Sequence, residues 1–182
     1  MKKEWDKRRP WYLGLTALGI FGLVAQIAQA EFGTDAVDSL FQQGRVQMNV
    51  GAGYGIFNNN GYFVLGLGGG YYLLDGLEAG ADAEGWWGSQ PQLYNVSPEL
   101  RYIFLNVPSY KPYVGLLYRR TFYNQDLGPL NSGGVRAGLV FPFSARTYMT
   151  AGGVYEHYFN CDTSVYSSCN DLYPEIGLFF SF

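Results

Sequence analysis

Charge is scarce in this sequence. Charged residues make up 15% of the 182 residues, against about 25% in an ordinary soluble domain. Histidine occurs once, at His157, and cysteine twice, at Cys161 and Cys169. Long apolar runs are missing too. Outside residues 11–30 nothing approaches the ~18 residues of a spanning helix, which excludes a polytopic helical membrane protein. Disorder is excluded by the opposite imbalance, because aromatics reach 18% and disordered chains are poor in them. Twenty-five glycines and 16 tyrosines are poor material for a helical bundle. Mean hydropathy is −0.07, neither strongly polar nor strongly apolar. Such a composition points to strands whose two faces differ.

The N-terminus has the three parts of an export signal. Lys2, Lys3, Lys7, Arg8 and Arg9 precede an almost wholly apolar stretch, 11–27, which ends in Ala28-Gln29-Ala30. That order of positive, apolar and small residues predicts a cleaved signal peptide over 1–30. The other reading of the stretch is an uncleaved membrane anchor. Removing 1–30 takes five of 12 basic and two of 15 acidic residues and leaves a net charge of −6. No basic patch survives, so nucleic acid is not an expected partner. In an oxidising compartment Cys161 and Cys169 are expected to form a disulfide. Closing so short a ring is worth roughly 2.5 kcal/mol of loop entropy. A metal site is the weaker reading, since no second Cys/His pair accompanies them.

Residues 31–44 carry no strand pattern and read as a short arm, with one helical turn at most over 38–43. From Arg45 onward the chain falls into eight alternating segments, about ten residues each. The third is the most informative. Leu77, Ala79, Ala81, Ala83 and Trp87 alternate with Glu78, Asp82, Glu84 and Trp86. Three acids on one face and none on the other must separate two environments. The fourth segment, from Val96, sets Leu100 and Tyr102 against Glu99 and Arg101; the fifth sets Leu116 and Tyr118 against Leu117 and Arg119; the sixth, 133–141, sets Val135 and Leu139 against Arg136. Glu156 and Glu175 fall on the polar faces of the last two. Arg120 breaks the apolar face of the fifth segment and is expected near a membrane rim, where it can snorkel. Asp75-Gly76 is a hairpin signal. The expected connections are 57–61, 89–95, 124–132 and 160–171 at one end, and 75–76, 106–112 and 142–146 at the other.

Eight such strands match a small antiparallel up-and-down transmembrane β-barrel over 45–182. A soluble barrel or sandwich with the faces inverted fits the alternation equally. Two features favour the membrane. The charges on the polar faces are few and complementary in sign, as suits a confined interior. Aromatics gather near segment ends (Tyr54, Phe57, Phe63, Trp87, Tyr118, Phe122, Tyr155, Phe159) as interface girdles do.

The C-terminal residues Tyr173-Pro174-Glu175-Ile176-Gly177-Leu178-Phe179-Phe180-Ser181-Phe182 resemble the last strand of Gram-negative outer-membrane proteins. Lys111-Pro112-Tyr113-Val114-Gly115-Leu116 is similar to a strand opening in small OmpA/OmpX/OmpW-like barrels. The resemblance implies a cell outer-membrane location, contact with outer-membrane lipid, and recognition of Ile176, Leu178, Phe180 and Phe182 by the barrel-assembly machinery. No OmpA-type peptidoglycan-binding domain is expected after the eighth strand, and both termini are expected in the periplasm.

The interior is where the sequence is most specific. Glu78, Asp82, Glu84 and Glu99 with Arg101, Arg119 and Arg136 are expected to form a charge network filling the lumen. Glycines 51, 53, 55, 66, 68 and 70 leave room for these long side chains. The alternative, that Glu78 and Glu99 face water at the barrel mouths, stays open. A structural or interaction role follows, with no cofactor. A narrow channel or small-ligand conduit is the runner-up. A lipid-modifying enzyme is third: His157 stands where lipid A deacylases carry a histidine, but the position two residues on is Phe159 rather than serine. No catalytic, cofactor or metal residues are assigned.

Overall fold

The computed structural model describes residues 37–57, 60–107, 110–124, 128–159, 161 and 168–182. The expected signal peptide, the start of the arm and most of the Cys161–Cys169 loop lie outside the described residues. Eight strands follow one another: β1 (Val46–Phe57), β2 (Asn60–Leu74), β3 (Leu77–Trp87), β4 (Leu93–Ile103), β5 (Lys111–Tyr123), β6 (Leu130–Ser144), β7 (Thr147–Tyr158) and β8 (Asn170–Ser181). Each pairs antiparallel with its neighbours, and β1 pairs with β8, so the sheet closes into an up-and-down barrel. This is the fold class the alternation implies.

The alternation sorts side chains by chemistry. On β4 burial switches at every residue from Leu93 to Ile103. Outward residues are apolar and exposed, among them Met48, Leu67, Leu116 and Ile176. Inward residues are polar and buried: Glu78 is 1% exposed, Arg101 2% and Arg119 3%. A water-soluble protein has the reverse arrangement; an apolar band around a polar interior is that of a membrane-spanning barrel.

Several strands are longer than their alternation suggests. β4 begins at Leu93 rather than Val96, and β6 runs from Leu130 to Ser144 rather than 133–141. Asn95 and Ser132, which read as loop residues, are interior residues 4% and 1% exposed. Where the interior is polar, a polar residue at a strand end is no sign that the strand has stopped. Near the other end of β6 the register with β7 shifts between Pro142 and Ser144, which lets the strand pass a residue that has no N–H to give the ladder.

The arm is not outside the barrel. A single 3₁₀ turn, Ser39–Phe41, sits at the end that holds the C-terminus. Its Leu40 and Phe41 are fully buried with Tyr72, Ile103, Tyr113, Val140, Tyr148 and Phe179. The Phe41 ring meets Tyr148 edge-on at 5.1 Å and Tyr72 at 6.0 Å. Lys111 Nζ lies 2.7 Å from Asp38 Oδ1, Gly76 N–H donates to Phe41 O at 2.8 Å, and Ser181 Oγ donates to Leu40 O at 3.1 Å. The sequence shows the two apolar residues but not the tertiary pocket that receives them.

Candidate functional site: the charged interior

Above the apolar layer around Phe41 the interior is ionic. Neighbouring strands supply it because facing residues in the register point the same way: Glu78 opposes Arg101, Arg101 opposes Gly115, and Gly115 opposes Arg136. Gly115 leaves the space that the Arg136 stem occupies, since a Cβ there would meet Arg136 Cγ at 2.9 Å.

Three arginines organise the layers. Arg101 Nη2 donates to Glu99 Oε1 at 2.7 Å, its Nη1 lies 4.0 Å from Glu78 Oε2, and its guanidinium sits 4.7 Å from the centre of the Phe179 ring. Arg136 Nη1 reaches Glu99 Oε2 at 2.6 Å and Asp82 Oδ2 at 3.5 Å, while its Nη2 lies 3.8 Å from Glu175. Arg119 pairs with Glu156 at 3.1 Å and Glu84 at 3.2 Å, and also donates to Ser97 Oγ at 3.0 Å and the Tyr173 hydroxyl at 2.8 Å. Neutral groups complete the set. Gln47 Nε2 donates to Glu78, the Tyr148 hydroxyl donates to Gln47, Ser132 donates to Glu156, and Asn49 Nδ2 donates to Asp82 at 2.9 Å. Buried charges that lacked such partners would each cost several kcal/mol, on the order of the effective desolvation penalty.

All seven residues singled out from the sequence for the lumen (Glu78, Asp82, Glu84, Glu99, Arg101, Arg119 and Arg136) take part in these pairs. The alternative placing of Glu78 and Glu99 at water-filled mouths is corrected: both are buried. Glu78 opposes Tyr72 across β2–β3 and lies beneath the Tyr72–Tyr148 layer that the arm covers. Sequence reading missed Glu156 and Glu175 as members, although their positions on polar faces were visible. With them, six carboxylates face three guanidiniums. It also missed Gln47, Tyr113 and Tyr173, which no charge count finds.

The remaining singled-out residues lie elsewhere. Cys161 and Cys169 are joined by a disulfide. Ile176, Leu178, Phe180 and Phe182 lie on the outward side of β8 and its end. His157 faces outward; its Nδ1 is 2.7 Å from Asn170 Oδ1, and the Ser168 hydroxyl is bonded to Asn170 O at 2.7 Å.

The wall itself has one weak place. β1 and β8 pair from Gln47–Ser181 to Gly51–Gly177 and no further among the described residues, while the other edge of β8 pairs with β7 as far as His157–Asn170. A cavity of about 120 Å³ lies beside the gap, lined by Asn49, Gly53, Glu84, Glu175, Ile176 and Phe179 among others.

The N-terminal β-barrel domain of OprF from Pseudomonas aeruginosa is similar in structure, with a TM-score of 0.56 and 18% identity over 77% of this chain and 98% of that one. The Neisserial surface protein A, NspA, gives 0.48 and 16% over 75% and 92%. The outer membrane protein OprG of P. aeruginosa gives 0.46 and 13% over 79% and 98%. At such identities the likeness to the OprF domain speaks to the fold alone. No protein-family model matches the sequence, and no curated protein matches it.

Proposed function

We propose that this chain is a small barrel of the cell outer membrane with a structural or interaction role, its lumen closed by its own side chains. The apolar outward band and polar interior suit a bilayer, and the export signal read over 1–30 suits a membrane beyond the cytoplasm. Both termini then face the periplasm, and the Cys161–Cys169 loop faces outside. The observation that carries closure is the filling of the interior: three arginines, each 5% exposed or less, pair with carboxylates inside the barrel, Arg119 joining Glu84 of β3 to Glu156 of β7 and Arg136 joining Asp82 of β3 to Glu175 of β8, and Leu40 with Phe41 fill the periplasmic end. An eight-stranded barrel has room for side chains and little else. We read the role as non-enzymatic: His157 Nδ1 is taken up by Asn170 Oδ1 at 2.7 Å, and the position two residues on is Phe159 rather than a serine. Liposome swelling with small sugars tests the proposal. Purified folded chain is expected to give no swelling above protein-free liposomes, and swelling comparable to a general porin refutes closure.

A narrow conduit is the second reading, and the short β1–β8 seam with its cavity is what favours it. On that reading a small solute passes through the wall rather than down the axis, so swelling by sugars stays absent while a small apolar dye exchanges between lumen and bilayer.

For biogenesis, the outward row Ile176, Leu178, Phe180 and Phe182 is the proposed assembly signal. Phe182 is 62% exposed, as suits an aromatic ring at the periplasmic interface. Phe182→Ser is expected to lower the heat-modifiable form in outer membranes; unchanged levels count against the assignment.

A further inference from the structure

Three glycines meet inside the barrel at the end of the β1–β8 seam. Across β8, β1, β2 and β3 one interior row reads Gly177, Gly51, Gly66 and Glu84, and Gly177 pairs on its other side with Thr150 of β7. Three neighbouring strands without a side chain leave the interior hollow, and the cavity of about 120 Å³ stands there, with all five residues in its lining. A Cβ on Gly51 would meet only Ile176 O, at 3.9 Å.

The polar part of the lining accepts hydrogen bonds. Asp82, Glu84 and Glu175 all line the cavity. The Glu84 and Glu175 side chains keep 20% and 22% of their surface, against 5% or less for each guanidinium. Arg136 serves three carboxylates: it reaches Glu99 at 2.6 Å, but Asp82 and Glu175 only at 3.5 and 3.8 Å. Asn49 and Tyr113 add hydrogen bonds of 2.9 Å to these two and no positive charge. Thr150 is 3% exposed, and its hydroxyl has no hydrogen-bond partner among the described residues. It leans over Gly177 into the cavity: a Cβ on Gly177 would stand 3.2 Å from Oγ1. A buried hydroxyl left unpaired is costly, and a donor in the cavity would remove that cost. Towards the bilayer the lining turns apolar, with Val50, Leu67 and Ile176 of the outward face.

Six carboxylates against three guanidiniums repel an anion. Among the described residues no group of three His, Cys, Asp or Glu is placed to hold a metal ion, which turns the choice to an organic cation. An ammonium head carries the missing charge and donates three hydrogen bonds, and a short alkyl tail suits the apolar lip. We infer that the hollow at Gly51 binds a small primary ammonium ion, its head among Asp82, Glu175 and Thr150 and its tail towards Val50 and Ile176. An apolar cavity of roughly 150 Å³ takes benzene, so this one holds about five heavy atoms, the size of butylammonium. The site needs only the barrel fold and holds whether or not a solute passes on through the wall.

The test titrates the isotope-labelled chain, folded in zwitterionic micelles, with butylammonium chloride and follows amide chemical shifts. Saturable shifts are expected at Gly51, Thr150 and Gly177, and no such shifts with 1-butanol or potassium chloride at the same concentration. Glu175→Gln is expected to weaken binding about tenfold, the effect of losing a charge-assisted hydrogen bond, and Thr150→Val about threefold. Gly51→Val keeps every charge and has room for its side chain in the hollow, so it is expected to fold and to abolish binding. No saturable shift in wild type overturns the site, and unchanged affinity in folded Gly51→Val overturns its location. Equal binding of 1-butanol, or displacement of butylammonium by equimolar potassium, overturns the ammonium assignment.

Discussion

Strand β8 has two edges, and they differ. Towards β7 its ladder runs from Thr147–Phe180 to His157–Asn170. Towards β1 it stops at Gly51–Gly177. The backbone explains the difference. Val46 and Phe182 exchange hydrogen bonds of 3.2 and 2.8 Å, whereas Ser181 N–H donates to Arg146 O at 2.8 Å on the other side. Residues of β8 alternate between edges, so even-numbered ones turn their N–H groups to β1. Pro174 is even-numbered, and the donor it lacks is one the seam needed. Opposite it, β1 offers Gly51, Gly53 and Gly55; a Cβ at Gly53 would meet nothing within 4 Å. Where the ladder stops, β8 is tied through the interior instead: Tyr173 and Glu175 reach Arg119 of β5 and Arg136 of β6. One edge of β8 is held by backbone along its length, the other only over its C-terminal half.

The largest expected effect comes from removing charge from the interior network. Arg101→Met leaves Glu78 and Glu99 without their shared partner and should cost about 3–5 kcal/mol, read as urea unfolding from vesicles. A loss under about 1 kcal/mol would make the network incidental to stability. Phe41→Ala should weaken docking of the arm by about 3 kcal/mol, seen as faster proteolysis around 37–43 while the β7–β8 amides keep their hydrogen-exchange protection. Pro174→Thr sharpens the comparison between the edges: a restored N–H on the β1 side should slow exchange at Ala52 and Tyr54, worth about 1 kcal/mol per new bond. Exchange that stays as fast as in wild type would show that Pro174 is not what stops the ladder. The smallest effect belongs to the disulfide. Cys161→Ser with Cys169→Ser should leave the folded barrel unchanged and make the 161–169 loop more sensitive to protease.

The architecture was legible because the two faces of each strand meet different solvents. Glu78, Asp82 and Glu84 alternating with alanines on β3 separate two faces without any tertiary information, and the same holds for Arg101 and Arg119; which face is inside was read from the scarcity of the charges and from the aromatic ends. Strand ends were less legible, because Asn95 and Ser132 look like loop residues unless the interior is already known to be polar. The arm was opaque for a different reason: Leu40 and Phe41 follow no period, and their burial depends on a pocket assembled from β2, β4, β5, β6, β7 and β8. Pro174 was plain in the sequence, but which edge it spoils depends on the register, which only the folded chain supplies.

The central claim is that the lumen is closed by fixed charges and by the arm even though the wall is incompletely zipped. Single-channel recording in planar bilayers tests it most directly. The folded chain is expected to give no discrete steps, and a variant lacking 37–43 with Arg101→Met is expected to give small cation-selective openings, because six carboxylates then face two guanidiniums. A steady ohmic conductance from the unmodified chain would contradict the account.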